Sequence, residues 1–106
     1  MAYIDPAAVT RSYLHMITTR RGDPSPYTVT PISDDEHQRY ALITTGWEPL
    51  KRIVGVTLLV TIEDDRVFIH HDGTPGFADY LIEHGVPADK IVLAFYREPF
   101  TADQAA

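Results

Sequence analysis

Apolar and polar residues alternate along the middle of the chain, which is the spacing of half-buried β-strands. The longest such run covers residues 53–62, and residues 67–70 repeat the pattern after the Asp64-Asp65 turn. Aspartate tolerates the positive φ of a tight turn better than most residues, so the two runs predict a β-hairpin. The longer strand is predicted to present one unbroken apolar face, made of Val54, Val56, Leu58, Val60 and Ile62.

Two further strands are predicted before this hairpin. Residues 27–30 alternate, and Pro31 confines them to a sheet edge or a strand end. Residues 33–36 form a polar turn, and residues 40–47 alternate again. Gly46 inside that last run indicates a bulge or a close approach of another backbone.

The period changes to that of a helix near the N-terminus. Asp5 is a suitable N-cap, and Pro6 fits the first helical position, where a missing N–H costs nothing. Val9, Tyr13, Met16 and Ile17 recur at helical spacing, as do Thr10, Leu14 and Ile17. Arg20 and Arg21 suit the last turn, and Gly22 can end the helix.

A second, short helix is predicted after the hairpin. Thr74 caps it, Pro75 opens it and Gly85 ends it. Residues 87–89 read as a single turn, and the apolar run 91–95 is short enough to be a buried strand.

This order predicts an α+β fold: an N-terminal helix, an antiparallel sheet with a central β-hairpin, a short second helix and a C-terminal strand. Both helices would pack on one sheet face. A single domain over residues 1–106 suits this length. The other face would need cover, so a homo-oligomer is a hypothesis. No run of about 18 apolar residues and no secretory signal occur, and there is no cysteine. We therefore expect a cytoplasmic protein with no membrane span, disulfide or thiolate metal site.

The net charge argues against a protein that binds DNA on its own. The chain has 9 basic and 15 acidic residues, a formal net charge of −6, whereas autonomous DNA binding leaves a basic footprint. The basic clusters are Arg20-Arg21 and Lys51-Arg52. The acidic balance has two interpretations: simple solubility, or a surface made for a basic partner, with Asp34-Asp35-Glu36 as a patch for it.

The most reactive-looking cluster is His70-His71-Asp72. On a strand the two histidines would point to opposite faces and chelate poorly. His71 with Asp72 could form a general-base pair or an incomplete metal site. We favour a structural interpretation, in which Asp72 and Thr74 bond free N–H groups at the second helix. No metal or cofactor is predicted.

Two other positions are candidates for recognition. Trp47 is either an anchor for a partner or a buried core residue, and the sequence does not choose between them. Arg52 either pairs with a carboxylate on the sheet or contacts a partner. Asp72-Gly73-Thr74 opens a helix but lacks the glycines and lysine of a P-loop.

Three blocks of the sequence resemble the XisI family of element excision controlling factors. They cover nearly the whole chain, in order and at the family's spacing. The blocks are Tyr40-Ala41-Leu42 with Gly46-Trp47; Arg52-Ile53-Val54-Gly55 with Phe68-Ile69-His70-His71-Asp72-Gly73-Thr74; and Leu81-Ile82-Glu83-His84-Gly85-Val86-Pro87 with Asp89, residues 91–95 and Pro99-Phe100.

The resemblance implies a non-enzymatic accessory or control protein that binds a partner such as an XisH-like endonuclease. We expect contact with DNA to be indirect or weak. The residues predicted to bind the partner are Trp47, Arg52, His71, Asp72 and Phe100. One alternative is a direct DNA-binding excision factor that uses Arg20, Arg21, Lys51 and Arg52. Another is a small hydrolase or nuclease built on His71 and Asp72.

Overall fold

The part of the chain that the structure describes contains two helices and five strands, in the predicted order. The computed structural model describes residues 4–19, 26–74 and 76–94. The elements are α1 (Pro6–Thr19), β1 (Tyr27–Asp34), β2 (Arg39–Glu48), β3 (Lys51–Glu63), β4 (Arg66–Asp72), α2 (Phe77–Glu83), a 3₁₀ turn (Ala88–Lys90) and β5 (Ile91–Leu93). The α+β fold class is confirmed.

The five strands form one sheet in the order β1-β2-β3-β4-β5. Neighbouring strands from β1 to β4 are antiparallel, whereas β5 runs parallel to β4. The sheet is therefore mixed, which differs from the predicted antiparallel sheet. The reason is the connection, because α2 carries the chain back along the sheet and a crossover of that kind joins parallel strands.

Helix α1 begins as its sequence predicts. The backbone N–H of Ala7 donates a hydrogen bond to Asp5 Oδ1 at 3.1 Å, so Asp5 caps the first turn. Thr10 is buried, and its hydroxyl donates to the Pro6 carbonyl at 2.8 Å. The predicted end of the helix, at Arg20, Arg21 and Gly22, lies outside the described residues.

Both tight features of the strand region have the predicted cause. Asp64 and Asp65 have φ values of 53° and 63°, as the two central residues of a hairpin turn require. A side chain at position 46 would place its Cβ 2.6 Å from the Pro26 carbonyl oxygen, so Gly46 permits a close backbone approach. Strand β1 continues through Pro31 at the sheet edge to Asp34, so the polar turn begins later than predicted.

Strand β3 contains a β-bulge that the alternating pattern does not reveal. Leu58 pairs with Leu42 of β2. Val56 pairs with Ile43, only one residue further along β2, so Thr57 has no register partner there. Residues in register share a face of the sheet, so the bulge places Val56 on the face opposite Leu58.

The predicted unbroken apolar face of β3 is therefore wrong. Its second half is buried against the helices and its first half is exposed on the other side. The buried residues are Leu58, Val60 and Ile62, and the exposed ones are Val54 and Val56. A side-chain period of 2 holds only while no extra residue enters the strand.

A second bulge, on β4, changes the orientation of the two histidines. Leu59 pairs with His71 and Val60 with Ile69, so His70 is the extra residue. His71 shares the outer face with Leu59, and His70 Nε2 lies 2.9 Å from Thr61 Oγ1, also on that face. The prediction that the histidines point to opposite faces is wrong for this reason.

The start of α2 is held by Asp72 and not by Thr74. The N–H of Phe77 donates to Asp72 Oδ2 at 3.3 Å, and the helix N-cap is Gly76 at a φ of 97°. The Thr74 hydroxyl lies 2.7 Å from the Tyr13 hydroxyl and joins this turn to α1. Pro75 lies outside the described residues. Gly85, at a φ of 97°, ends the helix as predicted.

The core lies between the two helices and one face of the sheet. Tyr13 packs against Phe77 and Tyr80, with ring centroids 4.9 Å apart in both pairs. The fully buried residues of the sheet are Tyr40, Leu42, Leu58, Val60, Val67 and Ile69. Within the described residues, neither helix is long and apolar enough to cross a membrane.

Candidate partner-binding surface

The sheet face that points away from the helices is largely apolar. We call its central part the bare face; it consists of the outward residues of β1, β2 and β3. Val54 is 65% exposed and Val56 47% exposed. None of these nine residues is charged: Thr28, Thr30, Ile32, Ala41, Ile43, Thr45, Val54, Val56 and Leu59. Antiparallel sheets that face water usually carry polar residues there, so this surface is unusual for an isolated domain.

One end of the sheet projects an aromatic and an aliphatic side chain into solvent. We call residues 47–52, which join β2 and β3, the hairpin tip. Trp47 is 56% exposed and Leu50 is 93% exposed. The Arg52 guanidinium lies 5.4 Å from the centroid of the Trp47 ring, which orients both side chains by a cation–π contact. The alternative that Trp47 is a core residue is wrong.

Lys51 of the hairpin tip is also exposed, and it pairs in register with Glu48. Arg20 and Arg21, the other half of the predicted DNA-binding surface, lie outside the described residues, as does Phe100. A contiguous basic surface therefore remains a prediction. Leu50 was missed at the sequence level, although an apolar residue in the Pro49-Leu50 turn was the available signal.

The carboxylate of Asp72 is occupied by the turn between β4 and α2. Its Oδ1 accepts the Thr74 N–H at 2.8 Å and also the Thr74 hydroxyl, while Oδ2 accepts the Phe77 N–H. His71 is exposed. Residues 4–19, 26–74 and 76–94 contain no group of three or more histidine, aspartate or glutamate side chains placed to hold a metal ion. Asp72 thus holds the turn between β4 and α2.

The opposite end of the sheet gathers acidic side chains, because two turns and the start of β5 meet there. We call this the acidic end. Its acidic residues are Asp34, Asp35, Glu36, Glu63, Asp64, Asp65 and Asp89, and its basic ones are Arg11, Arg39, Arg66 and Lys90. The hairpin tip, by contrast, has two basic residues and one acidic residue. In the part of the chain that the structure describes, charge is therefore distributed unevenly along the strands, with an acidic excess at one end and a small basic excess at the other.

Part of the acidic end is paired within the chain. Asp35 Oδ1 accepts hydrogen bonds from the Tyr40 hydroxyl and the Arg11 guanidinium, both at 2.7 Å. The Tyr40 bond, followed by Arg11, lowers the pKa of Asp35. Burial, reinforced by the bond to Asp35, raises the pKa of Tyr40 to about 12. Asp34 lies 2.9 Å from His37 Nδ1, and this bond lowers the pKa of Asp34.

A groove of about 460 Å³ runs between the two helices. Its walls include Tyr13 and Met16 of α1 together with Asp79, Tyr80, Glu83 and the adjoining His84. The Tyr80 and His84 rings stack at 4.0 Å, and His84 Nδ1 lies 2.9 Å from the Tyr80 carbonyl oxygen. Two carboxylates thus lie beside a stacked pair of rings in the wall of this groove.

The family model described as XisI protein matches residues 7–103. The chain belongs to the XisI family. This confirms the resemblance drawn from the three sequence blocks, because the match includes all of them. No curated protein matches the sequence.

Two solved structures have the XisI fold found here. A XisI-like protein from Anabaena variabilis ATCC 29413 is 24% identical, with a TM-score of 0.77 over 86% of this chain and 84% of that one. The fdxN element excision controlling factor XisI from the same organism is 21% identical, with a TM-score of 0.66 over 90% of this chain and 89% of that one. At these identities the likeness concerns the fold.

Proposed function

We propose that this XisI-family chain is a non-enzymatic control factor of DNA element excision that acts by docking on a protein partner. The name of the Anabaena XisI supports the process. The proposed docking rests on the hairpin tip, because this segment exposes Trp47 and Leu50 beside Arg52. Tryptophan and arginine are the residue types that contribute most to protein–protein binding energy.

The proposed partner is an XisH-like endonuclease. A nuclease must carry positive charge where it meets DNA phosphates, and this chain has a net charge of −6. Opposite net charges accelerate the encounter of two proteins and favour the correct orientation. The control factor would then reach DNA through its partner.

The state of the candidate catalytic cluster supports a role without catalysis. Both oxygens of Asp72 accept hydrogen bonds from the turn that starts α2. A carboxylate held in this way is directed at the backbone of that turn and is not placed to orient His71. His71 is therefore left without the acidic partner that the hydrolase alternative requires.

Co-expression with an XisH-like protein from a neighbouring gene tests the docking. We expect the wild-type chain to co-purify, and Leu50→Glu to weaken the complex by roughly tenfold or more, the scale of an interface hot spot. Ile82→Glu is the matched control, since Ile82 is an exposed apolar residue on α2. Absence of a wild-type complex, or equal weakening by both variants, would contradict the proposal.

Direct DNA binding is the second candidate, and the exposure of Lys51 and Arg52 beside Trp47 favours it. Exposed aromatic rings stack on unpaired bases, and cations contact phosphates. The test is a mobility shift with single- and double-stranded DNA at several salt concentrations. Specific binding that survives moderate salt and fails in Arg52→Ala would establish it, whereas a shift lost at moderate salt is non-specific contact.

A further inference from the structure

Strand β3 is apolar on both of its faces. One face supplies Leu58 and Val60 to the core, and the other supplies Val54, Val56 and Leu59 to the bare face. Strands that are apolar on both sides are typical of sheets covered on both sides. Both described helices lie on the core side, so within the described residues no helix covers the bare face.

We infer that a second copy of this chain covers the bare face, through the same face and about a two-fold axis. The axis lies between the two sheets, across the strands and close to Val56. It reverses the strand direction, so Val54 of one copy faces Leu59 of the other. Such an interface is self-complementary, as two-fold symmetry requires. The arrangement is an aligned sheet sandwich, with inner faces about 10 Å apart.

The distribution of charge favours a second copy of this chain as the occupant of the bare face, with its strands running in the opposite direction. Two chains of net charge −6 repel each other, so association needs a surface where repulsion is small. The bare face carries no charge in its centre. With the strands reversed, the acidic end of each copy lies over the hairpin tip of the other, where Lys51 and Arg52 are basic. Each dimer would thus contain two attractive contacts between opposite ends.

The area suits a dimer of moderate affinity. The three strands of the bare face and the adjoining β4, spaced about 4.8 Å apart with about eight residues rising 3.3 Å each, give a flat projection of roughly 500 Å². The uneven surface of the side chains and the residues at the rim increase the buried area. It then approaches the value of about 600–800 Å² per partner found in specific interfaces. Phe68, His70 and His71 extend the same face across β4.

Engineered cysteines test the geometry directly, because the chain has no cysteine of its own. With a short bismaleimide cross-linker, we expect Val56→Cys to form a covalent dimer quickly, since the two-fold axis brings both copies of this position together across the gap of about 10 Å between the sheets. Ile82→Cys, on α2, is the matched exposed control and should cross-link about ten times more slowly or less, by chance collision alone. Equal rates for the two variants would overturn the proposed axis.

Sedimentation measures the association itself. We expect wild-type protein to form dimers, and Val56→Glu to raise the dimer dissociation constant by roughly tenfold or more, because it buries an unpaired charge. Ile82→Glu should leave the constant unchanged, and circular dichroism should show that both variants are folded.

A wild-type chain that remains monomeric at high concentration, or a Val56→Glu chain that dimerises as well as wild type, would overturn the inference. Neither result bears on the proposed docking on an XisH-like protein, because docking is tested separately, by the effect of Leu50→Glu on co-purification.

Discussion

The two halves of β3 have the same alternation of apolar residues but opposite environments. From Leu58 onward, every second residue is buried against the helices, whereas before Thr57 every second residue is exposed on the bare face. One extra residue separates them. The first half therefore adds nothing to the core and is free to act in recognition, while the second half holds the fold together.

The bulge that divides these halves is fixed by neighbours on both sides. The Thr57 carbonyl accepts the Gly73 N–H at 2.6 Å, and the Thr57 hydroxyl is hydrogen-bonded to that of Thr44. A Cβ at position 73 would lie 3.2 Å from the Thr57 carbonyl oxygen, so glycine allows the close approach. Bulges often redirect side chains next to functional surfaces, and this one creates the bare face.

The largest expected effect is the difference in stability loss between substitutions at two adjacent leucines. Leu58→Ala should lower the free energy of unfolding by about 3 kcal/mol, because it leaves a cavity in the core. Leu59→Ala removes the same atoms from the bare face, where Leu59 is 37% exposed, and should cost about 1 kcal/mol or less. Urea unfolding of monomeric protein measures both. Similar losses would show that the two faces are equally packed.

The next effect concerns Tyr40, which lies beside the buried half of β3. Its pKa is raised to about 12 in the folded chain, against about 10 when unfolded. Its contribution is therefore complete below pH 10 and is lost as the pH rises toward 12. Stability should fall across that window, and Tyr40→Phe should flatten the fall. An ultraviolet titration of tyrosinate should show a late-ionising group in the wild type that Tyr40→Phe lacks; an ordinary pKa for Tyr40 would contradict this.

A smaller effect concerns the hydroxyl pair at the bulge. Thr57→Val should cost about 1 kcal/mol, because it leaves Thr44 without its partner. The double variant Thr44→Val/Thr57→Val removes both hydroxyls and should recover part of that loss. A double-mutant cycle by urea unfolding measures the coupling. Purely additive losses would mean that this bond does not hold the bulge.

The smallest effect is expected on the exposed half. Val56→Thr is nearly isosteric and should change the stability of the monomer by about 0.5 kcal/mol or less, as most surface substitutions do. Val60→Thr is its partner in the comparison, because it buries a hydroxyl in the core and should cost more than 1 kcal/mol. Thermal unfolding at low protein concentration measures both, and a large loss in Val56→Thr would indicate hidden packing.

Local chemistry made much of the fold predictable. The cap at Asp5, the Asp64-Asp65 turn, the close approach at Gly46 and the helix end at Gly85 each follow from properties of one or two residues. Two features did not follow. The bulges at Thr57 and His70 depend on which residue of a neighbouring strand lies opposite, and register is a property of two strands at once. The apolar bare face and the shared side of the two histidines could not be predicted for that reason.

The proline in β1 has a consequence for how the protein avoids uncontrolled assembly. This strand forms an outer edge of the sheet, and an open edge invites further chains to add strands without limit. Pro31 has no N–H to offer an incoming strand, and the aspartate at the end of β1 adds charge beside it. Addition of further strands at this edge, and with it growth into fibres from the β1 side, is thereby discouraged.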